Sequence, residues 1–307
     1  MKNIFKTSRA LRTYGICALS LSLLCVALRL IATLFFFDTE IGYYRLGNIV
    51  AFFAAFLPAI CAAAALAFCA IPQICVKPAE AKNTRTVKIS AFFPAAAFAA
   101  YTVLYALSVM EYFRVYNELP LAYILMLAAS AVSAAFFLQI ALRKNVGDAY
   151  FVVSGIFPII WLVISLAESY FDSYVQINSP IKLIFQLATL GAMLLTVCEL
   201  RVGLDVKKPR FHLFAATVAA VFLGTSSVPS IICFFTGHMP TSYVLLYSDC
   251  VLATLFVFAV ARLCQLCFSG ERENATDIEE VLEEDTQAPN DTQTTEDITE
   301  NTTEDIS

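Results

Sequence analysis

Long apolar blocks alternate with short polar connectors along most of the chain. Eight blocks can be marked, at about 14–36, 48–71, 88–110, 120–142, 149–168, 180–200, 211–235 and 243–267. Within a block the apolar residues run nearly continuously instead of recurring every third or fourth position. A helix with such a pattern is hydrophobic on every side and has no face for water. About 20 residues at 1.5 Å per residue cross a hydrocarbon layer roughly 30 Å thick, so each block is expected to span a bilayer. Hydrocarbon offers the backbone no hydrogen-bond partners, which leaves helices as the solution for blocks of this length. The expectation is an all-α bundle of eight antiparallel spans covering residues 1–269, since no connector is long enough to fold alone.

Composition agrees and adds a second region. Of 307 residues, 59% are apolar and 15% charged, against roughly 25% charged in soluble domains. Mean hydropathy is +0.73. The net charge of −5 hides two opposite parts: residues 271–307 carry fourteen acids against the single Arg272, a net −13, which leaves +8 for the rest. The stretch 270–307 is rich in Thr, Glu, Asp and Asn and has no aromatic residue. It cannot bury enough apolar surface to offset the entropy of ordering, so it is expected to be a disordered acidic tail. Asn274, Asn290 and Asn301 begin N-x-T sequons there, which have no meaning for a cytoplasmic tail.

Lysine and arginine alternate between connectors. Sixteen fall at the N-terminus, at every second connector and after the last block, whereas the other side has Arg45, Arg114 and Lys182. By the positive-inside rule both termini are cytoplasmic. Lys2, Lys6, Arg9 and Arg12 precede the first block as in a signal peptide. The block is too long and lacks a small-x-small site, so an uncleaved first span is expected. Tyrosines crowd the outer side, among them Tyr43, Tyr44, Tyr112, Tyr116, Tyr123, Tyr170 and Tyr174. An aromatic belt accounts for tyrosines at either surface; an outward vestibule accounts for the bias to one.

Candidate chemistry is sparse. No P-loop, HExxH, GxSxG or EF-hand pattern occurs, and no cofactor, metal or catalytic residue is implied. His212 and His238 have no clustered partners in sequence, and His212, Glu199 and Arg201 read as interface anchors. Most of the ten cysteines sit inside apolar blocks and behave as small hydrophobes; Cys264 and Cys267 form a lone CxxC that reads as packing. Ala51, Ala55, Ala59, Ala63 and Ala67, and likewise Ala91, Ala95 and Ala99, recur every fourth residue and predict close helix contacts. Pro58, Pro94, Pro158 and Pro229 predict kinks.

Charges inside the blocks stand out, because each costs about 2.5–3.5 kcal/mol at the helix centre on insertion scales. Arg29 and Asp249 lie at similar depth in the outer halves of the first and eighth blocks, where they are placed to pair. The run Gly224-Thr225-Ser226-Ser227-Val228-Pro229-Ser230 sets a helix breaker at each end of a hydroxyl cluster. It reads either as a broken helix lining a site through Ser227 or as a plain kink. Tyr101, Tyr105, Ser108 and Tyr112 mark one face of the third block, either as packing or as a cavity wall for a cationic or sugar-like solute. Arg29, Asp249, Tyr101, Tyr105, Tyr112 and Ser227 are the candidate ligand-binding residues.

Phe171-Asp172, Asn178-Ser179-Pro180, Lys182, Gln186-Leu187-Ala188, Leu194-Leu195 and Glu199-Leu200-Arg201 form a pattern that resembles uncharacterised polytopic membrane proteins of anaerobic Gram-positive bacteria. The resemblance covers about a tenth of the chain, from 168 to 201. It implies a bacterial cytoplasmic membrane and no particular activity. The sequence reads as a non-enzymatic sensor or a membrane subunit of a complex, with a small-solute transporter as the alternative. Its partners are the lipid bilayer and a protein meeting the acidic tail; no nucleic acid is implied.

Overall fold

A computed structural model describes residues 2–38, 43–45, 47–71, 78–142, 149–171, 179–204, 206, 208–237 and 243–268. They form α1 (Lys2–Phe36), α2 (Ile49–Ala70), α3 (Arg85–Tyr116), α4 (Leu121–Leu142), α5 (Ala149–Phe171), α6 (Pro180–Gly203), α7 (Pro209–Phe235) and α8 (Tyr243–Phe268). All eight are long and apolar enough to cross a membrane. Met1–Gly270 is one compact unit, and the acidic tail lies outside the described residues.

The helices match the apolar blocks closely except in α1, which begins about three turns before the expected start at 14, and in α3, which runs about two turns past the expected end at 110. Glu111, Tyr112 and Arg114 end the hydrophobic stretch, but nothing in them ends a helix. The stop comes at Asn117, whose left-handed φ of 54° lets its N–H close on the Phe113 carbonyl. A second departure is a two-residue antiparallel ladder, β1 (Phe37–Asp38) with β2 (Tyr43–Tyr44), which caps α1.

Six helices close a ring, in the order α3, α4, α5, α6, α7, α8 and back to α3. Helices α1 and α2 flank it, both against α7. Rings fill the centre: Phe98 packs edge-on to Trp161 at 5.0 Å and stacks with Phe137 at 5.8 Å, and Phe137 meets Phe258 at 5.6 Å. Close approach needs glycine in three places, one of them Gly15 of α1, where a Cβ would lie 2.8 Å from Cys267 of α8. A Cβ on Gly155 of α5 would collide with the Leu200 side chain of α6, and one on Gly224 of α7 would lie 2.7 Å from Phe256 of α8.

The every-fourth alanine rows do not make the contacts predicted for them. In α2 the buried line is Ala51, Ala54, Pro58, Cys61, Ala65 and Cys69, while Ala59, Ala63 and Ala67 are exposed; in α3 Ala91 and Ala95 are buried and Ala99 is exposed. The cause is geometric. At 3.6 residues per turn, a strict spacing of four drifts about 40° around the helix at each step. A line that faces one neighbour must mix threes and fours, and the buried lines do.

All four intrahelical prolines are buried, and none breaks its helix. α7 in particular is continuous through Pro229, which corrects the broken-helix reading. Thr225 and Ser227 donate to the Val221 and Leu223 carbonyls of their own helix, at 2.6 and 2.7 Å. These two hydroxyls are therefore spent on the backbone of their own helix.

Candidate functional site

The two ends of the bundle can be named by their chemistry. The basic end holds the start of α1 and the α2–α3, α4–α5 and α6–α7 connections. The tyrosine end holds the others.

Near the basic end the ring is closed by charges whose place in the sequence suggests the surface. Glu199 of α6, His212 of α7 and Arg262 of α8 are 3%, 3% and 0% exposed. Arg262 grips Glu199 with two bonds, Nε to Oε1 at 2.8 Å and Nη2 to Oε2 at 2.5 Å. His212 Nε2 lies 3.0 Å from the same Oε1. The remaining guanidinium hydrogens go to the Lys82 carbonyl, Asn83 Oδ1 and Gln265 Oε1, at 2.9, 3.1 and 3.3 Å. All five N–H donors of Arg262 are thus used. Gln265 in turn donates to the Glu80 carbonyl at 2.7 Å, and the Ala79 N–H reaches the Leu266 carbonyl at 3.3 Å. The α2–α3 connector is thereby strapped across the basic end of α8. The interface-anchor reading of Glu199 and His212 is corrected: three residues from separate blocks meet because helix ends at one level converge. The clue present in sequence is their common depth.

From the midplane toward the tyrosine end the polar groups are arranged differently. Tyr101 and Tyr105 of α3 are 1% and 3% exposed and stack at 5.3 Å. Trp161 of α5 meets Tyr101 edge-on at 5.3 Å. The Tyr101 hydroxyl turns toward Trp161 and toward Ser248 of α8, yet Tyr101 Oη and Trp161 Nε1 are both without a hydrogen bond. So is Ser165 Oγ, one turn above Trp161 on α5. Tyr105 Oη reaches Glu168 Oε1 at 3.4 Å. Trp161, Ser165 and Glu168 are spaced four and three apart, which places them on one face of α5. Tyr105 continues through Tyr123 at 6.0 Å to Tyr112 at 5.2 Å and Tyr116 at 4.5 Å. An unbroken aromatic wall therefore descends from the half-exposed Tyr112 and Tyr123 to the buried Trp161.

Beside it, on the next face of α8, lies Asp249, 5% exposed, with Ser230 of α7 facing its carboxyl. Ser230 and Ser226 also line a small cavity of about 10 Å³ with Arg29 and Thr33 of α1, room for about one water. Arg29 and Asp249 do not form the expected ion pair. Among the described residues the ion pairs are those of Glu199 with Arg262 and His212. Arg29 instead lies under the Tyr44 ring, 5.1 Å from its centroid, which the β1–β2 ladder holds over the end of α1. Arg29 Nη1 and Asp249 Oδ1 each lack a hydrogen bond. Tyr44 lies outside the spans, and its burial raises its phenol above the ordinary range, partly offset by Arg29.

Of the six sequence candidates, Tyr101 and Tyr105 share the aromatic wall with Tyr112 at its rim. Arg29 and Asp249 flank Ser230. Ser227 stands apart, bonded to its own helix. Sequence reasoning missed Trp161, Ser165, Glu168 and Ser248 as a group. A signal exists for the first three, in the only tryptophan of the chain and the polar spacing after it.

Eight apolar, membrane-length helices closed around this arrangement define a multi-pass integral membrane protein. Comparison with known protein families, curated proteins and solved structures finds no match for the chain.

Proposed function

We propose that the chain is a non-enzymatic protein of a bacterial cytoplasmic membrane, with both termini cytoplasmic, that senses a small cationic solute or binds it as the membrane subunit of a complex. The observation that carries this is the cluster of buried polar atoms that make no well-formed hydrogen bond, Tyr101 Oη, Trp161 Nε1 and Ser165 Oγ, beside an aromatic wall and the Glu168 carboxyl. A buried polar atom without a partner costs about 1–3 kcal/mol, and three in one place support a site completed by a ligand or its water. Tyrosine and tryptophan faces attract cations, and Glu168 supplies the opposite charge. The basic end, closed by Arg262 and Glu199, supports entry from the tyrosine end. The acidic tail is the partner-facing element of this reading.

Trp161 is the sole tryptophan, so its fluorescence reports on the site directly. Titrating tetramethylammonium against sodium in detergent should shift its emission, and Glu168→Gln should abolish the shift. A response to glucose but not to the cation would overturn the cationic reading; no response to either would overturn the site. Reporter fusions after Lys82, Lys144 and Gly270 should report cytoplasm, and fusions after Glu118 and Asp172 the outside.

A transporter is the second reading, favoured by Arg29 Nη1 and Asp249 Oδ1, two buried charged-group atoms that each lack a hydrogen bond. Uptake of the same cation into proteoliposomes, lost in Asp249→Asn, would establish it over the sensor.

A further inference from the structure

At the basic end, next to Glu199 and His212, the C-terminal turn of α6 and the first turn of α7 enclose a cleft of about 70 Å³. Arg201, Lys208, His212 and Glu80 line it, with Phe211 and Val206 as apolar walls. Arg201 is held in place by stacking on Phe211, 5.0 Å from the ring centroid. Neither Arg201 nor Lys208 forms an ion pair with a described residue. His212 has Nε2 beside Glu199 and also lines the cleft.

We infer that this cleft binds a phosphate group, carried by an anionic membrane lipid. Among the described residues two permanent cations and one acid line the pocket. A planar guanidinium matches phosphate oxygens with paired N–H donors, and an ammonium adds a point charge. The uncapped start of α7, Lys208 then Pro209, adds the positive end of a 27-residue helix to the same place. The lipid source is favoured by position and by the walls. The cleft lies where two spans end, at the level of headgroups. Beside it Leu204 and Val206 are exposed at 56% and 43%, apolar surface that an acyl chain covers and a soluble phosphate leaves bare. A headgroup seated there rests against the Glu199–His212–Arg262 network that closes the ring.

The test uses the full chain in detergent, with thermal unfolding and native mass spectrometry as readouts. Added phosphatidylglycerol should raise the unfolding temperature and remain bound in the spectrum; phosphatidylcholine and inorganic phosphate should do neither. Arg201→Gln with Lys208→Gln should weaken phosphatidylglycerol binding about 30-fold, from about 1 kcal/mol for each basic residue. Lys208→Gln alone, at an exposed position, should weaken it by about the square root of that and serves if the double variant does not fold. Equal stabilisation by phosphatidylcholine, or undiminished phosphatidylglycerol binding in the variants, overturns the site. Stabilisation by inorganic phosphate alone to the same extent overturns the lipid source.

Discussion

The two ends of the ring handle buried charge in opposite ways. At the basic end Arg262 spends all five donors, and Glu199 accepts from Arg262 on both oxygens with His212 beside one of them. Toward the tyrosine end Arg29, Asp249, Tyr101, Trp161 and Ser165 each leave a buried polar atom without a partner, against Gln139 Oε1 of α4 toward the basic end. The same chain, in the same low-dielectric surroundings, satisfies one set and not the other. A saturated network holds helices in register. An unsaturated one carries a standing energetic cost, which a bound ligand would remove under the function proposed above.

The largest effect should come from halving the saturated network. Glu199→Leu or Arg262→Leu leaves a buried charge and should cost about 3–5 kcal/mol, read as a fall in thermal stability in detergent. Glu199→Leu with Arg262→Leu should cost less than the two added together. A strictly additive double variant would mean that the network holds nothing.

At the other end the same substitutions should act differently. Arg29→Leu and Asp249→Leu are not paired, so their effects should add within about 0.5 kcal/mol. Asp249→Asn should change stability by no more than about 1 kcal/mol, because the amide keeps the shape and the contact with Ser230. A loss of about 3 kcal/mol or more at Asp249, on the scale of the basic end, would erase the contrast.

Ser165→Ala should be smaller still, within about 0.5 kcal/mol and toward greater stability, since the hydroxyl bonds nothing. The effect should disappear when the site is filled by the tetramethylammonium probe.

The smallest effect concerns pH. Burial raises the Tyr44 phenol in the folded state. The folded state then resists losing this proton, so the stability it protects is fully present below the unfolded value near 10 and is lost as pH rises beyond it. Tyr44→Phe should flatten the alkaline side of the stability curve relative to wild type. An unchanged alkaline limb would mean that Tyr44 does not seal Arg29.

Much of the fold is legible in the residue pattern. The helix ends of α2, α4, α6, α7 and α8 fall within three residues of the apolar block ends, because hydrocarbon thickness dictates block length. Tyr101 and Tyr105 are visible as one face because helical spacing is local. The alanine rows mislead, since a spacing of four looks like a face and drifts off one.

The features that can be read from the chain alone are therefore local: eight spans, their alternation, the burial of Arg29 and Asp249, and the aromatic stripe of α3. Each follows from what hydrocarbon demands of a single helix. Which residues meet is settled only when the helices pack. Glu199, His212 and Arg262 lie 13 and 63 residues from one another along the chain, counted from Glu199, and no periodicity links them. Arg29 found Tyr44 instead of Asp249 because a two-residue ladder turned the connector back over α1. Lys182, counted among the connector charges, is 3% exposed in the first turn of α6. The physical reason is common to all three: lipid is equally apolar on every side of a span, so hydropathy sets a residue's depth and leaves its rotation and its partner to helix packing.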